Sequence, residues 1–299
     1  MTNVTKPTAT FTPFSGRGEI YLFGPPHNWS IKTLDPETLA RIGAIADSLG
    51  VAALYAPRPE KCNATICHPN DLTEVVKLPG SQASLHRGTY ADGVILPTNC
   101  AFWLSSADCQ VVVVSHDVSG ATVAMHAGRD SLFDRKLIET GVASREFNSV
   151  IDAAINRIGT SEERLIKPSQ LQAFITGGIG PEEFDHPYGH PAYGEANRRM
   201  VEKVIRDFGR DSVLGDPENG RLILSEIARV QMRTHGIPAY RIGFDGIDTF
   251  MDASFNARVM PPQYASDMPE RCMEGAWWSN RRDSAQGGER NGMLYIRRR

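Results

Sequence analysis

The run VVVVSH-DVSG-ATVAMH, residues 111–126, constrains this chain more than any other stretch. β-Branched and apolar residues crowd both arms, which favours extended backbone, and DVSG between them supplies turn chemistry. The reading is an antiparallel hairpin. With His116 paired to Ala121, partner numbers sum to 237 and His126 falls opposite Val111. Cys109 lies two residues before Val111 and shares its face, a diagonal neighbour of His126 at about 7–8 Å. A thiol and an imidazole therefore sit at the open end of the hairpin, where strands meet loops and sites are commonly built.

Such a pair suits zinc. With bonds of about 2.3 Å to sulfur and about 2.0 Å to nitrogen, an ion could bridge the two after slight strand bending. A catalytic zinc takes a third protein ligand. Two upstream loop histidines are candidates, His68 in ICHPND and His86 in SLHRGTYADG, and spacing does not choose between them. Without a metal the same atoms read as a Cys109 thiolate activated by His126, or as a small buried hydrophobe beside a hydrogen-bonded ring. The other histidines offer less. His116 precedes the turn and is expected in solvent, and Pro187 and Gly189 oppose the helix that would align His186 with His190. His27 follows two prolines, and His235 ends a helix, where an imidazolium is favourable anyway.

Around the hairpin, DPETLARIGAIADSLG predicts a helix with Asp35 at its N-cap, Pro36 at its first position and Gly50 past its end. Leu39, Ile42, Ile45 and Leu49 share one face. Further strands are expected near residues 74–78 and 93–96, and a partly helical stretch over 134–158. LQAFIT is a strand running into the turn GGIGP, helices follow in ANRRMVEKVIRDFG and over 225–235, and AYRIGF and MLYIRRR close the chain as strands. Glycine turns such as GGIGP can cradle an anion but more often only reverse the chain. Hairpins among helices, outside simple βαβ alternation, point to a layered α+β fold with mixed sheets in a single domain. The Thr- and Pro-rich residues 1–20 read as a flexible N-terminal arm, with the folded domain over 21–299.

A formal charge of −3 gives no electrostatic footprint for nucleic acid or an anionic membrane. No apolar run approaches the roughly 20 residues of a membrane span. Five cysteines (Cys62, Cys67, Cys100, Cys109 and Cys272) form no disulfide framework and no CxxC pair, which points to a reducing cytoplasm.

Several segments, in this order, resemble one family. CHPNDLTEVVKL, YADGVI, SADCQVVVV, VAMHAG, ITGGIGP and WWSNRRD are similar to the motifs of YfiH-type proteins, also called laccase-domain or multicopper polyphenol oxidoreductase proteins. The ADC…HAG pair is the most specific part. The resemblance implies a four-layer α-β-β-α domain, a zinc ion held by two histidines and one cysteine, and activity on purine nucleosides. That activity is phosphorolysis of adenosine, guanosine and inosine, and deamination of adenosine. By position the metal ligands fall on His68, Cys109 and His126, with His86 the second choice for the first. The chain also departs from the family. HAG continues with Arg129, Asp130 and Ser131 instead of Trp-Arg-Gly, Glu182 stands where a cysteine often follows IGP, and Asp248-Thr249 replaces a CT pair. A guanidinium moved by one residue, with a carboxylate in its place, is not a conservative change.

The expected enzyme is zinc-dependent. Three protein ligands leave a fourth position for water, whose pKa zinc lowers towards about 7, and that hydroxide would attack C6 of adenosine. Asp108 and Asp130 are the nearest carboxylates for proton transfer, so Cys109, His126 and Asp108 form the expected catalytic set. Phosphorolysis needs a cation to hold phosphate, and Arg129, Arg281 and Arg282 are the candidates. Three alternatives stand beside this reading. One is a metal-free Cys109–His126 hydrolase or deamidase, the chemistry of toxin deamidases with the same fold. The second is a copper-dependent polyphenol oxidase, opposed by eight scattered histidines with no HxH pair. The third is a metal-stabilised binding protein without turnover. Each has a small-molecule partner, not a nucleic acid or a membrane.

Overall fold

The central hairpin forms in the expected register. β9 (Gln110–His116) and β10 (Thr122–Ala127) pair antiparallel, Ser115 opposite Thr122 and Val111 opposite His126. Both arms are buried at every position, because their sheet is covered on both faces. The computed structural model describes residues 5–24, 26–59, 64–142, 148–162, 166–247 and 290–298.

Two sheets dominate the described residues. The hairpin lies inside a six-stranded sheet in the order β14 (Ile242–Phe244), β11 (Leu171–Thr176), β9, β10, β7 (Gly93–Leu96), β4 (Ile66–Cys67). A seven-stranded sheet runs β1 (Ala9–Phe11), β2 (Gly18–Phe23), β15 (Asn291–Arg297), β8 (Ala101–Ser106), β3 (Ala53–Tyr55), β6 (Ser84–Arg87), β5 (Glu74–Lys77). Both mix parallel and antiparallel pairs: β4 with β7 and β11 with β14 are parallel, as are β3 with β6 and with β8. A small ribbon pairs β12 (Val213–Leu214) with β13 (Arg221–Leu222).

Side-chain alternation then sorts the core into layers. Val112, Val114, Val123 and Met125 pack towards α4 (Val150–Glu162), α5 (Gly194–Phe208) and α6 (Leu224–Thr234). Val111, Val113 and Ala124 point the other way and meet Phe102, Leu104, Met293 and Tyr295 of the second sheet. The outer face of that sheet is covered by α1 (Pro36–Ser48) through Leu39, Ile42 and Ile45, against Trp29, Trp103 and Leu294. The Asp35 carboxylate caps α1 by accepting the Thr38 N–H at 2.8 Å. The result is the expected α-β-β-α sandwich of α+β class. Two short helices, α2 (Arg129–Leu132) and α3 (Arg135–Thr140), follow the hairpin. Among the described residues no helix is long and apolar enough to cross a membrane.

Two expectations need correction. The described part of the N-terminal arm is not loose: β1 pairs with β2, and Phe11 and Phe14 are buried in the layer between the sheets. Threonine and proline suggest a tail, but a short edge strand tolerates both at its margins. His116 is not in solvent either; it is buried, with Nδ1 2.9 Å from Ser119 Oγ. Its place at a strand end on a doubly covered sheet decides this, and the turn next to it does not.

Candidate active site

Cys109 and His126 meet between the two sheets. Val111 and Ala124 both belong to the inter-sheet layer, and residues two apart share a face, so Cys109 and His126 point there as well. The turn before Cys109 is clamped on both sides. The Cys109 N–H donates to Ser106 Oγ at 3.0 Å, and that hydroxyl donates to the Cys109 carbonyl at 2.9 Å. Asn291 Nδ2 donates to the Ala107 carbonyl, and the Ile179 N–H donates to the Asp108 carbonyl at 2.9 Å. The Ser106 side chain and two distant segments thus fix the loop that carries the thiol.

A third residue completes the corner. Asp92, in the ADG segment before β7, is 1% exposed, and its Oδ1 lies 3.1 Å from His126 Nδ1. Its other oxygen accepts the Ala64 N–H at 2.7 Å, so the carboxylate cannot swing away. A carboxylate on Nδ1 keeps the proton there and leaves Nε2 for the opposite side of the ring. Nε2 faces Cys109. A methyl group on Gly128 would lie 2.9 Å from His126 Nε2, 2.7 Å from Cε1 and 3.3 Å from Cys109 Sγ, so only glycine lets the backbone pack this closely against ring and thiol. Burial alone would push the His126 imidazolium down; the Cys109 sulfur and the Asp92 carboxylate push it the other way and win, up to about 10. The YADG segment was visible in the sequence. Its contact with His126 depends on β7 pairing with β10, Gly93 opposite Met125, and no local pattern announces that register.

His68 lies elsewhere. It caps a single 3-10 turn, is exposed, and has Nε2 2.8 Å from Arg157 Nη1 on α4. Ile66 faces the helical layer and Cys67 faces the inter-sheet layer. His68 continues in extended backbone, so alternation turns it to the helical face, opposite His126. It is also displaced along the strands. Cys67 pairs with Val94, whereas the His126 N–H reaches the Asp92 carbonyl, a difference of about three residues or 10 Å. His86 is in the other sheet, its Nε2 3.0 Å from Ser84 Oγ, with its pKa lowered by burial.

Among the described residues no group of three or more His, Cys, Asp or Glu side chains is placed to hold a metal ion. The described donors to zinc at this corner are therefore two, Cys109 and His126, with Asp92 as the carboxylate behind the histidine. They do not close a catalytic zinc site, which takes three. A multicopper centre, which needs clustered histidines, has still less to stand on in this part of the chain.

The candidate phosphate clamp is engaged. Arg129 Nε donates to Asp130 Oδ1 at 2.6 Å, and its Nη1 lies 3.2 Å from Nε2 of the buried His186. The two residues that replace the family's pattern therefore hold each other. Arg281 and Arg282 lie outside the described residues. Asp108 is half-buried beside Cys109. The glycine turn after β11 spends its amides within the chain: Gly177 N–H points at the Asp245 carboxylate and Ile179 N–H at the Asp108 carbonyl. Asp245 is buried and also accepts from Thr176 Oγ1 and the Ile247 N–H. Burial pushes its pKa up to about 7, against those donors, which pull it down.

Solved structures share this architecture. YfiH, a hypothetical protein of Bacillus licheniformis, superposes with a TM-score of 0.59 at 16% identity over 93% of this chain and 92% of that one. YlmD of Geobacillus stearothermophilus gives 0.60 at 17% identity over 94% and 92%. Protein NMB0706 of Neisseria meningitidis gives 0.59 at 14% identity over 97% and 99%. No curated protein matches the chain. A family model described as multi-copper polyphenol oxidoreductase laccase matches residues 50–260, more than half of the sequence, and the chain belongs to that family.

Proposed function

We propose that this chain is an enzyme acting on purine nucleosides, with Cys109, His126 and Asp92 as its reaction centre and adenosine deamination as its reaction. The observation that carries the centre is the line from Asp92 through His126 to Cys109, with Gly128 packed closely against ring and thiol. The substrate class rests on the family resemblance.

The described residues can run the reaction as thiol chemistry. The Cys109 thiolate adds to C6 of the base, and the His126 imidazolium passes its Nε2 proton to the amino nitrogen, which leaves as ammonia. The neutral imidazole then takes a proton from water, whose oxygen displaces sulfur from C6. The sum is nucleoside plus water to the 6-oxo nucleoside plus ammonia. Asp92 holds the ring in the required tautomer. Phosphorolysis is less well served, since Arg129 would have to leave Asp130 to hold phosphate.

A zinc-loaded centre is the second reading. A histidine with one nitrogen on a carboxylate and the other beside a thiol is a common metal-binding arrangement. It needs a third ligand from beyond the described residues, and it would commit Cys109 to the ion. Cys67, Cys100 and Cys109 carry free thiols, which suits the reducing cytoplasm where we place the enzyme.

Metal analysis by mass spectrometry and ammonia release from adenosine, before and after iodoacetamide, separate the readings. The thiol reading expects no stoichiometric zinc and loss of turnover as Cys109 is alkylated. Near one zinc per chain, lost in Cys109→Ala, would replace it with the zinc reading. No turnover of adenosine, inosine or guanosine by folded protein would remove the substrate class and leave a binding protein.

A further inference from the structure

A second cavity opens on the opposite side of the seven-stranded sheet, with a volume of about 520 Å³. It lies where the parallel strands β3, β6 and β8 end. Pairing Tyr55 with His86 and with Phe102 brings the residues after them, Ala56, Arg87 and Trp103, to one level. Crevices beyond the carboxyl ends of parallel strands are the usual ligand sites of open sheets. Trp103 belongs to the layer under α1, so the sheet stands between this cavity and the Cys109 corner.

The wall is one-sided in charge. Lys32, Arg58, Arg87 and Arg290 line it, and no described aspartate or glutamate does. Arg87 is 7% exposed. Its Nη1 donates to the Ile31 carbonyl at 2.6 Å, and Glu74 Oε2 lies 3.2 Å from its Nε without hydrogen-bond alignment. Arg58 stacks on Tyr90 with 4.8 Å to the ring centroid. A buried guanidinium whose described counter-charge is imperfectly placed costs desolvation that an anionic guest would offset. The rim is also built. Ser105 Oγ donates to the Trp29 carbonyl at 2.7 Å, and the Arg290 N–H donates to Asn28 Oδ1 at 3.1 Å, so the loop before α1 is tied to two strand ends. Ile31, Ala56, Pro57 and Pro59 supply apolar wall for an organic moiety. The volume suits a small molecule rather than a bare ion, and a concave site on an acidic chain does not suit a nucleic acid.

We propose that this cavity binds an organic phosphate of nucleotide or sugar-phosphate size, separately from the reaction centre. Arg87 and Arg58 hold the phosphate, Lys32 closes over it from the exposed rim, and the apolar wall takes the organic part. The proposal stands whether or not the purine nucleoside reading holds, because it uses none of the same side chains.

The test is calorimetric titration of the full chain with adenosine monophosphate, glucose 6-phosphate and inorganic phosphate, with adenosine as the uncharged control. At least one organic phosphate should bind, more weakly as salt rises and better than inorganic phosphate. Lys32→Glu and Arg58→Gln should each weaken it roughly tenfold, the scale of one charge-assisted contact. Cys109→Ala should leave it unchanged. Lys32 is exposed, so its variant reports on binding rather than folding, and circular dichroism checks both. Binding lost in Cys109→Ala would move the ligand to the reaction centre and overturn the proposal. So would affinity unchanged in both cavity variants, or no binding by any phosphate at millimolar concentration.

Discussion

Asp92 and Asp245 are both buried almost completely, 1% and 2% exposed, and both accept main-chain N–H groups, yet they face different partners. Asp92 meets an imidazole that can carry charge. Among the described residues Asp245 meets a hydroxyl and two amides. Neutral dipoles do not fully replace water around a carboxylate, and Asp245 is pushed up to about 7 for that reason. A charged partner changes the role as well as the energy. Asp92 orients the His126 ring, whereas Asp245 ties the glycine turn to β11 and the chain beyond β14. The same residue type, equally buried, fixes a side chain in one place and a backbone turn in the other.

The largest effect should come from breaking the charged side of this comparison. Asp92→Ala leaves the His126 ring and the Ala64 N–H without their acceptor, and should cost about 3–5 kcal/mol in urea denaturation, as expected for a broken buried pair. Asp92→Asn keeps an acceptor but loses the charge that fixes the tautomer. Its turnover should fall by roughly 10²-fold or more while the fold persists. A change below about 1 kcal/mol in Asp92→Ala would mean that the His126–Asp92 contact is no more than an ordinary hydrogen bond.

The neutral side should reveal itself through pH. Asp245 holds its proton up to about 7 when folded, against an ordinary value of 3.8. Between those values the folded state binds the extra proton, so this group's contribution to stability falls as pH rises, by at most about 1.4 kcal/mol per unit. Its stabilising share is complete below 3.8 and gone above 7. Urea midpoints from pH 4 to 7 should therefore fall more steeply in wild type than in Asp245→Asn, which cannot ionise. Parallel curves would show that the three donors hold the carboxylate ionised after all.

How far the sequence reveals these two sites differs in kind. The hairpin register, and with it the approach of Cys109 to His126, follows from β-branched arms, a four-residue turn and a period of two. These are local rules. The helices α1, α5 and α6 are legible for the same reason, through caps and one apolar face. Asp92 is not, because β7 reaches β10 only through sheet pairing. AFWLSS, which becomes β8, lacks a bounded alternating pattern, being covered on both faces. His68 shows the limit of positional likeness: the motif order is that of the family, while the strand phase sends the ring to the other face.

A smaller perturbation probes the space between ring and thiol. Gly128→Ala puts a methyl 2.7 Å from His126 Cε1, closer than side-chain carbons come, so the ring has to shift. The cost should be about 1–3 kcal/mol, the range for overpacking. The rate of Cys109 alkylation should fall with it, since the same methyl would lie 3.3 Å from the sulfur. Stability lowered with alkylation unchanged would place the open side of the thiol away from Gly128, and the reaction geometry would need another approach to the sulfur.

The smallest expected effect carries the sharpest contrast. His68→Ala removes an exposed ring whose described partner is Arg157, so stability should change by less than about 0.5 kcal/mol. Zinc content, thiol alkylation and nucleoside turnover should match wild type, whereas Cys109→Ala changes at least the last two. A side chain on the helical face of a covered sheet does not reach the inter-sheet face without breaking the β4–β7 pairing. If His68→Ala and Cys109→Ala lost the same metal, that pairing would be shifted by about three residues in the protein, His68 would join His126, and the zinc reading would displace the thiol one.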